Sequence, residues 1–240
     1  MSVIYEPKGK AREYCELAVN LYNGCSHGCS YCYAPKFTYK KHEDFINAKP
    51  RAGVVDQLEK EAPLYRGREV HLCFTCDPYQ QIENNYFFTR MAIEILHRNG
   101  IKVVILTKGG KRSEKDFDLL EKNKHLSKYG ATLTFTEDAD SLKFEPGATL
   151  PGERFETLEK AHSLGVETWA SLEPVIDPAQ TLMIIERCKD FVDTFKVGKW
   201  NHNAEASKID WRKFCHEAID LLEKYNLNYY IKKDLIAYKN

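Results

Sequence analysis

With 240 residues, 43% hydrophobic and 29% charged, the chain has an ordinary globular balance and enough length for one substantial core or two small ones. Thirty-five basic residues meet thirty-five acidic ones, so the broad positive field of a protein that grips duplex DNA through its phosphates is missing, although zero net charge allows a local basic patch. Met1 to Lys10 is polar and no apolar run approaches membrane-spanning length, so no signal peptide, no membrane segment and a cytoplasmic setting are expected. Cys15, Cys73, Cys76, Cys188 and Cys215 are scattered as in a reducing compartment.

In chain order, residues 1–16 read as a polar lead-in and Leu17 to Leu21 as a first strand. The long stretch Ala34 to Lys49 is irregular, and Pro50 and Arg51 are placed to start a helix through Ala62. Glu69 to Thr75 is a second strand. Asn84 to Arg98 carries apolar residues at helical spacing and stops at Gly100. Lys102 to Thr107 is a third strand with Lys108-Gly109-Gly110 as its exit, Glu114 to Asn123 a helix, and Ala131 to Thr136 a fourth strand. Pro151 to Leu164 is a helix ending at Gly165, and Val166 to Leu172 a strand. Asp177-Pro178 supplies a cap and first-turn proline for a helix through Lys189. Val192 to Val197 is a sixth strand, Lys208 to Tyr225 a helix, and Asn228 to Lys232 a last edge strand. Strands alternating with helices predict an α/β protein with a parallel sheet and helices outside. No linker or composition break divides it, so residues 1–240 are expected to be one domain.

Between the first strand and the irregular stretch lies Asn23-Gly24-Cys25-Ser26-His27-Gly28-Cys29-Ser30-Tyr31-Cys32-Tyr33. Three cysteines at spacings of four and three, on a loop that glycine keeps flexible, can share one soft metal centre. Three thiolates on a four-iron cluster leave one iron open for a substrate or cofactor. A zinc site is the alternative, and it needs a fourth ligand, for which His27 is nearest.

Ligands of parallel α/β sheets bind at the carboxyl ends of the strands, where this loop already sits. Alternation sorts the second strand into an apolar row, Val70, Leu72 and Phe74, and a polar row, His71, Cys73, Thr75 and Asp77, better placed inside a barrel. The fourth strand sets Leu133 and Phe135 against Thr132, Thr134 and Thr136, and the fifth puts Trp169, Ser171 and Glu173 on one face. An interior this polar suggests a ligand cavity. Asp77 is a candidate ligand contact or helix cap, Lys108 and Glu173 are strand-end candidates, Trp200, Asn201 and His202 are placed to line a substrate side, and Lys199 to meet phosphate, carboxylate or only water.

The Cys-x-x-x-Cys-x-aromatic-Cys spacing resembles that of the radical S-adenosylmethionine enzymes. The longer wording from Cys25 through Tyr33 to Ala34-Pro35 resembles their spore photoproduct lyase and "DNA repair photolyase" branch. The resemblance implies a partial (β/α)6 barrel, a [4Fe-4S] cluster on Cys25, Cys29 and Cys32, S-adenosylmethionine as cofactor, and a flavodoxin- or ferredoxin-type electron donor. It implies Tyr31 near the adenine, Thr75 and Asp77 near the cofactor's amino group, and Lys108 near its carboxylate. It also implies Tyr33 in a radical relay. The usual Gly-Gly-Glu wording is absent at Thr75-Cys76-Asp77-Pro78.

The chemistry implied is reductive cleavage of S-adenosylmethionine to a 5′-deoxyadenosyl radical that abstracts hydrogen from a substrate. A nucleic-acid lesion or nucleotide is one substrate reading, with Cys73 as the thiol that returns hydrogen and Cys76 close by. A peptide or small metabolite is another. An iron–sulfur electron carrier or a zinc-stabilised binding module is the non-enzymatic rival.

Overall fold

The computed structural model describes residues 2–239. In these residues the strands are β1 (Ala18–Val19), β2 (Tyr22–Asn23), β3 (Lys49–Pro50), β4 (Glu69–Leu72), β5 (Lys102–Thr107), β6 (Ser127–Thr132), β7 (Glu167–Val175), β8 (Thr194–Lys199) and β9 (Tyr229–Ile231). Seven of them form one sheet in the order β1-β4-β5-β6-β7-β8-β9, and every neighbouring pair is parallel. β2 and β3 form a separate antiparallel pair. All carboxyl ends of the main sheet therefore lie on one side, and the chain returns through helices.

The first four helices are α1 (Ala34–Phe37), α2 (His42–Phe45), α3 (Val54–Glu61) and α4 (Glu83–Tyr86), followed by α5 (Phe88–Arg98), α6 (Phe117–Lys122) and α7 (Asp138–Phe144). The last are α8 (Pro151–Ser163), α9 (Pro178–Cys188), α10 (Trp211–Lys224) and α11 (Lys233–Ile236). α8 opens on its proline and buries Phe155, Leu158 and Ala161 at helical spacing. α9 is capped by Asp177, whose Oδ1 accepts from Ala179 N at 2.8 Å and Gln180 N at 3.3 Å.

Both faces of the sheet are covered. The outer face packs on the helices through Val70, Leu72, Val103, Ile105, Ala170 and Leu172, all buried. The inner face carries a smaller cluster of Cys15, Val104 and Trp169, with Tyr14, Phe74 and Leu106 against it. The N-terminal segment touches both sheet edges. Tyr5 bridges Ala18 of β1, while Glu13 Oε2 accepts from the Tyr230 hydroxyl of β9 at 2.8 Å and from Lys233 N at 3.1 Å. The sheet thus curls with its edges apart and one segment strapped between them, an open form of the expected barrel.

Several boundaries differ from expectation for local reasons. The second strand stops at Leu72 because Cys73 takes a left-handed φ of 71°. That residue inverts the alternation beyond it: Phe74 turns inward to stack on His71 at 4.1 Å between ring centroids, and Cys73 turns into the outer core. The expected polar row of His71, Cys73, Thr75 and Asp77 is therefore broken, and Cys73 does not line the interior. The fifth-strand row is as expected, since Tyr14 on the inner face meets Trp169, Ser171 and Glu173 together. Pro50 does not start a helix but pairs with Tyr22, and α3 begins at Val54. The helix expected from Asn84 breaks at Phe87, φ 55°. β6 runs from Ser127 rather than Ala131. It includes Gly130, where a Cβ would overlap the Trp169 indole. α7 lies in a stretch to which the sequence reading assigned no element.

Candidate active site

The cysteine loop follows β2, just beyond the carboxyl end of β1, and is held from several sides. Gln80, fully buried, accepts from Ser26 N at 2.8 Å and donates to Gly24 O at 3.3 Å. Cys25 N donates to Phe45 O at 3.0 Å, Ser30 N to Phe144 O at 2.8 Å, and Gly147 N to His27 O at 2.8 Å. A side chain at Gly147 would overlap Ser26 O and crowd the His27 backbone. The loop shape is therefore fixed by β4, α2 and the α7 exit, independently of anything bound to it.

His27 is the loop's internal brace. Its Nδ1 faces Asp77 Oδ2 at 3.4 Å, and its Nε2 accepts from the Arg112 guanidinium at 3.0 Å. Burial lowers its pKa to about 4, so it is neutral. Asp77 also accepts from Tyr79 N at 2.8 Å, the Thr107 hydroxyl at 2.6 Å and Lys108 N at 2.8 Å. Burial alone would raise the Asp77 pKa, but His27, Thr107, Lys108 and Tyr79 outweigh it and keep the carboxylate ionised. Three hydrogen bonds and the facing His27 ring surround the Asp77 carboxylate. Asp77 thus ties β5 to the cysteine loop.

A second network backs Cys29 and Tyr31. The Tyr31 hydroxyl donates to Glu145, and Glu145 is ion-paired with Arg154 at 2.6 Å with both side chains buried. Arg154 also donates to Thr132 O at 3.2 Å and Thr149 O at 2.6 Å. Lys108 Nζ lies 5.6 Å from the Tyr31 ring centroid. Burial works against the Lys108 charge, but Cys29 and Glu145 more than compensate and its pKa is raised. Burial likewise pushes the Cys29 thiol up to about 12, with Lys108 drawing it back. Neither Glu145 nor Arg154 stood out in the sequence, where Arg154 reads as one more charge on a helix.

The other expected residues fall in two places. Thr75 N donates to Asn20 Oδ1 at 3.0 Å beside the loop, and the Tyr33 hydroxyl donates to Phe74 O at 2.8 Å with its ring half-exposed. Glu173 is instead on the inner face, accepting from the Tyr14 hydroxyl at 2.6 Å and ion-paired with Lys232. Both partners were missed, as nothing marks a lead-in tyrosine or a C-terminal lysine as interior. Trp200 is buried against Phe144 at 6.3 Å. Lys199, Trp200, Asn201 and His202 line a cavity of about 640 Å³ at the β8 exit.

The donor set fits an iron–sulfur cluster. All eight cysteines are free, and Cys25, Cys29 and Cys32 are soft donors on one braced loop with cationic Lys108 nearby. A single zinc ion fits less well, since both nitrogens of His27 are already engaged. Among the described residues no group of three or more His, Cys, Asp or Glu side chains is close enough to hold one ion.

Known proteins resemble this chain in sequence and in fold. Residues 19–192 match the family model described as the radical SAM superfamily. An uncharacterized protein of Acidianus two-tailed virus is 28% identical over 174 residues, 67% of this chain and 56% of its own length. An uncharacterized protein of Methanocaldococcus jannaschii is 25% identical over 226 residues, 92% of this chain and 81% of the relative. Among solved structures, Streptococcus suis SuiB bound to S-adenosylmethionine superposes with a TM-score of 0.70 at 15% identity, covering 92% of this chain and 51% of SuiB. Spore photoproduct lyase complexed with dinucleoside spore photoproduct gives 0.73 at 13%, covering 94% of this chain and 78% of the lyase. The chain thus spans about half of the viral relative and of SuiB, and these structural likenesses concern the fold. With the family model covering most of its length and the three cysteines at the sheet's carboxyl end, the chain belongs to the radical SAM superfamily.

Proposed function

We propose that Cys25, Cys29 and Cys32 hold a [4Fe-4S] cluster and that S-adenosylmethionine binds beside it, against Tyr31, Thr75 and Lys108. When bound, the pair supplies reductive cleavage of the sulfonium to a 5′-deoxyadenosyl radical that takes hydrogen from a substrate. The observation that carries this reading is Lys108, held charged 5.6 Å from the Tyr31 ring and beside Cys29 at the exit of β5. An ammonium there suits a carboxylate, and the ring beside it suits a flat base. Asp77, His27, Arg112 and Gln80 fix the backbone of the loop that carries the thiols. Glu145 and Arg154 fix Tyr31.

A nucleic acid or nucleotide is the substrate class favoured, and a flavodoxin- or ferredoxin-type protein the proposed electron donor. Free cysteines throughout suit a reducing, cytoplasmic setting. No helix among the described residues is long and apolar enough to cross a membrane.

The test is anaerobic reconstitution followed by iron and sulfide analysis and by assay of 5′-deoxyadenosine with dithionite and S-adenosylmethionine. About four irons per chain are expected, with loss of the cluster in Cys29→Ala and retention in Cys188→Ala. Full iron content in Cys29→Ala would end the proposal.

A further inference from the structure

In a chain of zero net charge, three lysines gather beside the cysteine loop, followed directly by Glu43 and Asp44. No carboxylate occurs between Glu16 and Glu43, and Lys36, Lys40 and Lys41 fall inside that interval. All three are exposed. Lys41 meets Glu43 only at 3.8 Å, with both side chains almost wholly in solvent. Between these lysines stand aromatic rings that the fold does not bury. Phe37 is 64% exposed and Tyr39 97%, and Tyr39 has a left-handed φ of 54°. Tyr33 meets Phe37 edge-on at 5.7 Å between centroids. Folding gains little from these rings, and exposed aromatic surface of this kind marks a binding site.

The segment is also fixed in place. Ala34 and Pro35 are buried beneath it, the Tyr33 hydroxyl donates to Phe74 O, and His42 Nε2 lies 3.3 Å from Cys29 O. Its rings and lysines therefore stand at the rim of the proposed site.

The geometry points to residues 33–41 as a platform for single-stranded nucleic acid, with bases stacked on Phe37 and Tyr39 and phosphates met by Lys36, Lys40 and Lys41. It rests on the proposed function only in placing that strand at the mouth of the site. Two exposed rings, Phe37 and Tyr39, are flanked by Lys36 on one side and Lys40 and Lys41 on the other, so stacking surfaces and cations lie side by side as single-strand binding requires. A duplex buries its base faces in the stack and would leave the rings unused. An acidic protein surface would ask for a contiguous apolar centre with charges at the rim, not a lysine beside each ring.

The experiment uses fluorescence anisotropy with the reconstituted chain and a labelled oligothymidylate of about twelve nucleotides, against a duplex of equal length. The single strand is expected to bind more tightly. Phe37→Ala and Tyr39→Ala should each weaken binding about tenfold. The logarithm of the binding constant should fall against the logarithm of salt with a slope of about −2, from three lysines at about 0.7 each. In the triple variant Lys36→Gln/Lys40→Gln/Lys41→Gln the slope should approach zero. Because the side chains are exposed, melting temperature and iron content should not move in these variants.

Equal or tighter duplex binding, an unchanged slope in the triple variant, or absence of oligonucleotide binding overturns the assignment. So does displacement by poly-glutamate as effective as by unlabelled oligothymidylate, which would give the surface to an acidic protein. Iron analysis of the same samples separates the two proposals: a chain that binds the strand but holds no cluster refutes the enzymatic reading alone.

Discussion

Asp77 and His27 face each other at 3.4 Å across the start of the cysteine loop, and each is engaged on its far side, Asp77 by β5 and His27 by Arg112. The pair joins two strand exits to the loop between them. Asp77→Asn keeps the shape but removes the charge that three donors and the His27 ring address. Hydrogen bonds to a charged group contribute ~1.5–3 kcal/mol each, so a loss of roughly 3 kcal/mol overall is expected once partial compensation by the amide is counted. Urea unfolding of the iron-free chain measures this. Unchanged stability together with normal iron uptake in Asp77→Asn would show that the loop is held some other way.

The Glu145–Arg154 pair is almost without solvent contact. Breaking such a pair costs ~3–5 kcal/mol because one charge stays buried and alone, whereas replacing both partners is far milder. Arg154→Met should therefore be strongly destabilising, and the double variant Glu145→Gln/Arg154→Met should recover most of the loss. Recovery is read from melting curves. A double variant as unstable as the single one would mean that Arg154 acts mainly through Thr132 and Thr149.

The cysteine loop and the parallel strands that frame it were legible in the sequence because each is local: a spacing, an alternation, a proline after a capping Asp177. The braces around the loop were not. His27 read as a loop residue or zinc ligand, and its partners Asp77 and Arg112 are brought to it only when β4 and β5 pair. The strap formed by Tyr14 and Glu13 is tertiary in the same way. β6 was read four residues short at its start because Gly130 weakens the strand pattern. That glycine is required where the Trp169 ring lies flat on it.

Glu83 predicts a pH dependence away from the site. It is fully buried and accepts from the Tyr22 hydroxyl and from Thr89 N at 3.0 Å, with Lys115 at 3.8 Å. Burial raises its pKa from 4.5 to about 7, against the pull of Tyr22 and Lys115 and with Asp116 adding to the rise. A folded pKa above the unfolded one means that the stability Glu83 contributes is complete below about pH 4.5 and is lost as the pH climbs through about 7. Melting temperature measured from pH 5 to pH 8 should fall less in Glu83→Gln than in the parent. Parallel curves for the two proteins would remove Glu83 as the cause.

Cys73 was expected on the inner row as the thiol that returns hydrogen, and its backbone takes it off that row. Its φ of 71° turns the side chain into the outer core, where burial and then the adjacent Cys76 push its thiol well above the usual range. A left-handed conformation costs an L-residue roughly 1–2 kcal/mol, and no sequence pattern marks a cysteine that adopts it. Cys73→Gly should relieve that strain while giving up the buried thiol, so its urea midpoint should stay within ~1 kcal/mol of the parent. Cys73→Val should lose ~2 kcal/mol or more, because a β-branched side chain is an outlier at positive φ. Once a substrate is identified, product from Cys73→Ala should be unchanged, and Cys76, which lies near enough to Cys25 to raise its pKa, becomes the thiol to test. A valine variant as stable as the parent would mean that Cys73 is extended. Extended backbone there would restore the inner row and, with it, the hydrogen-donor reading.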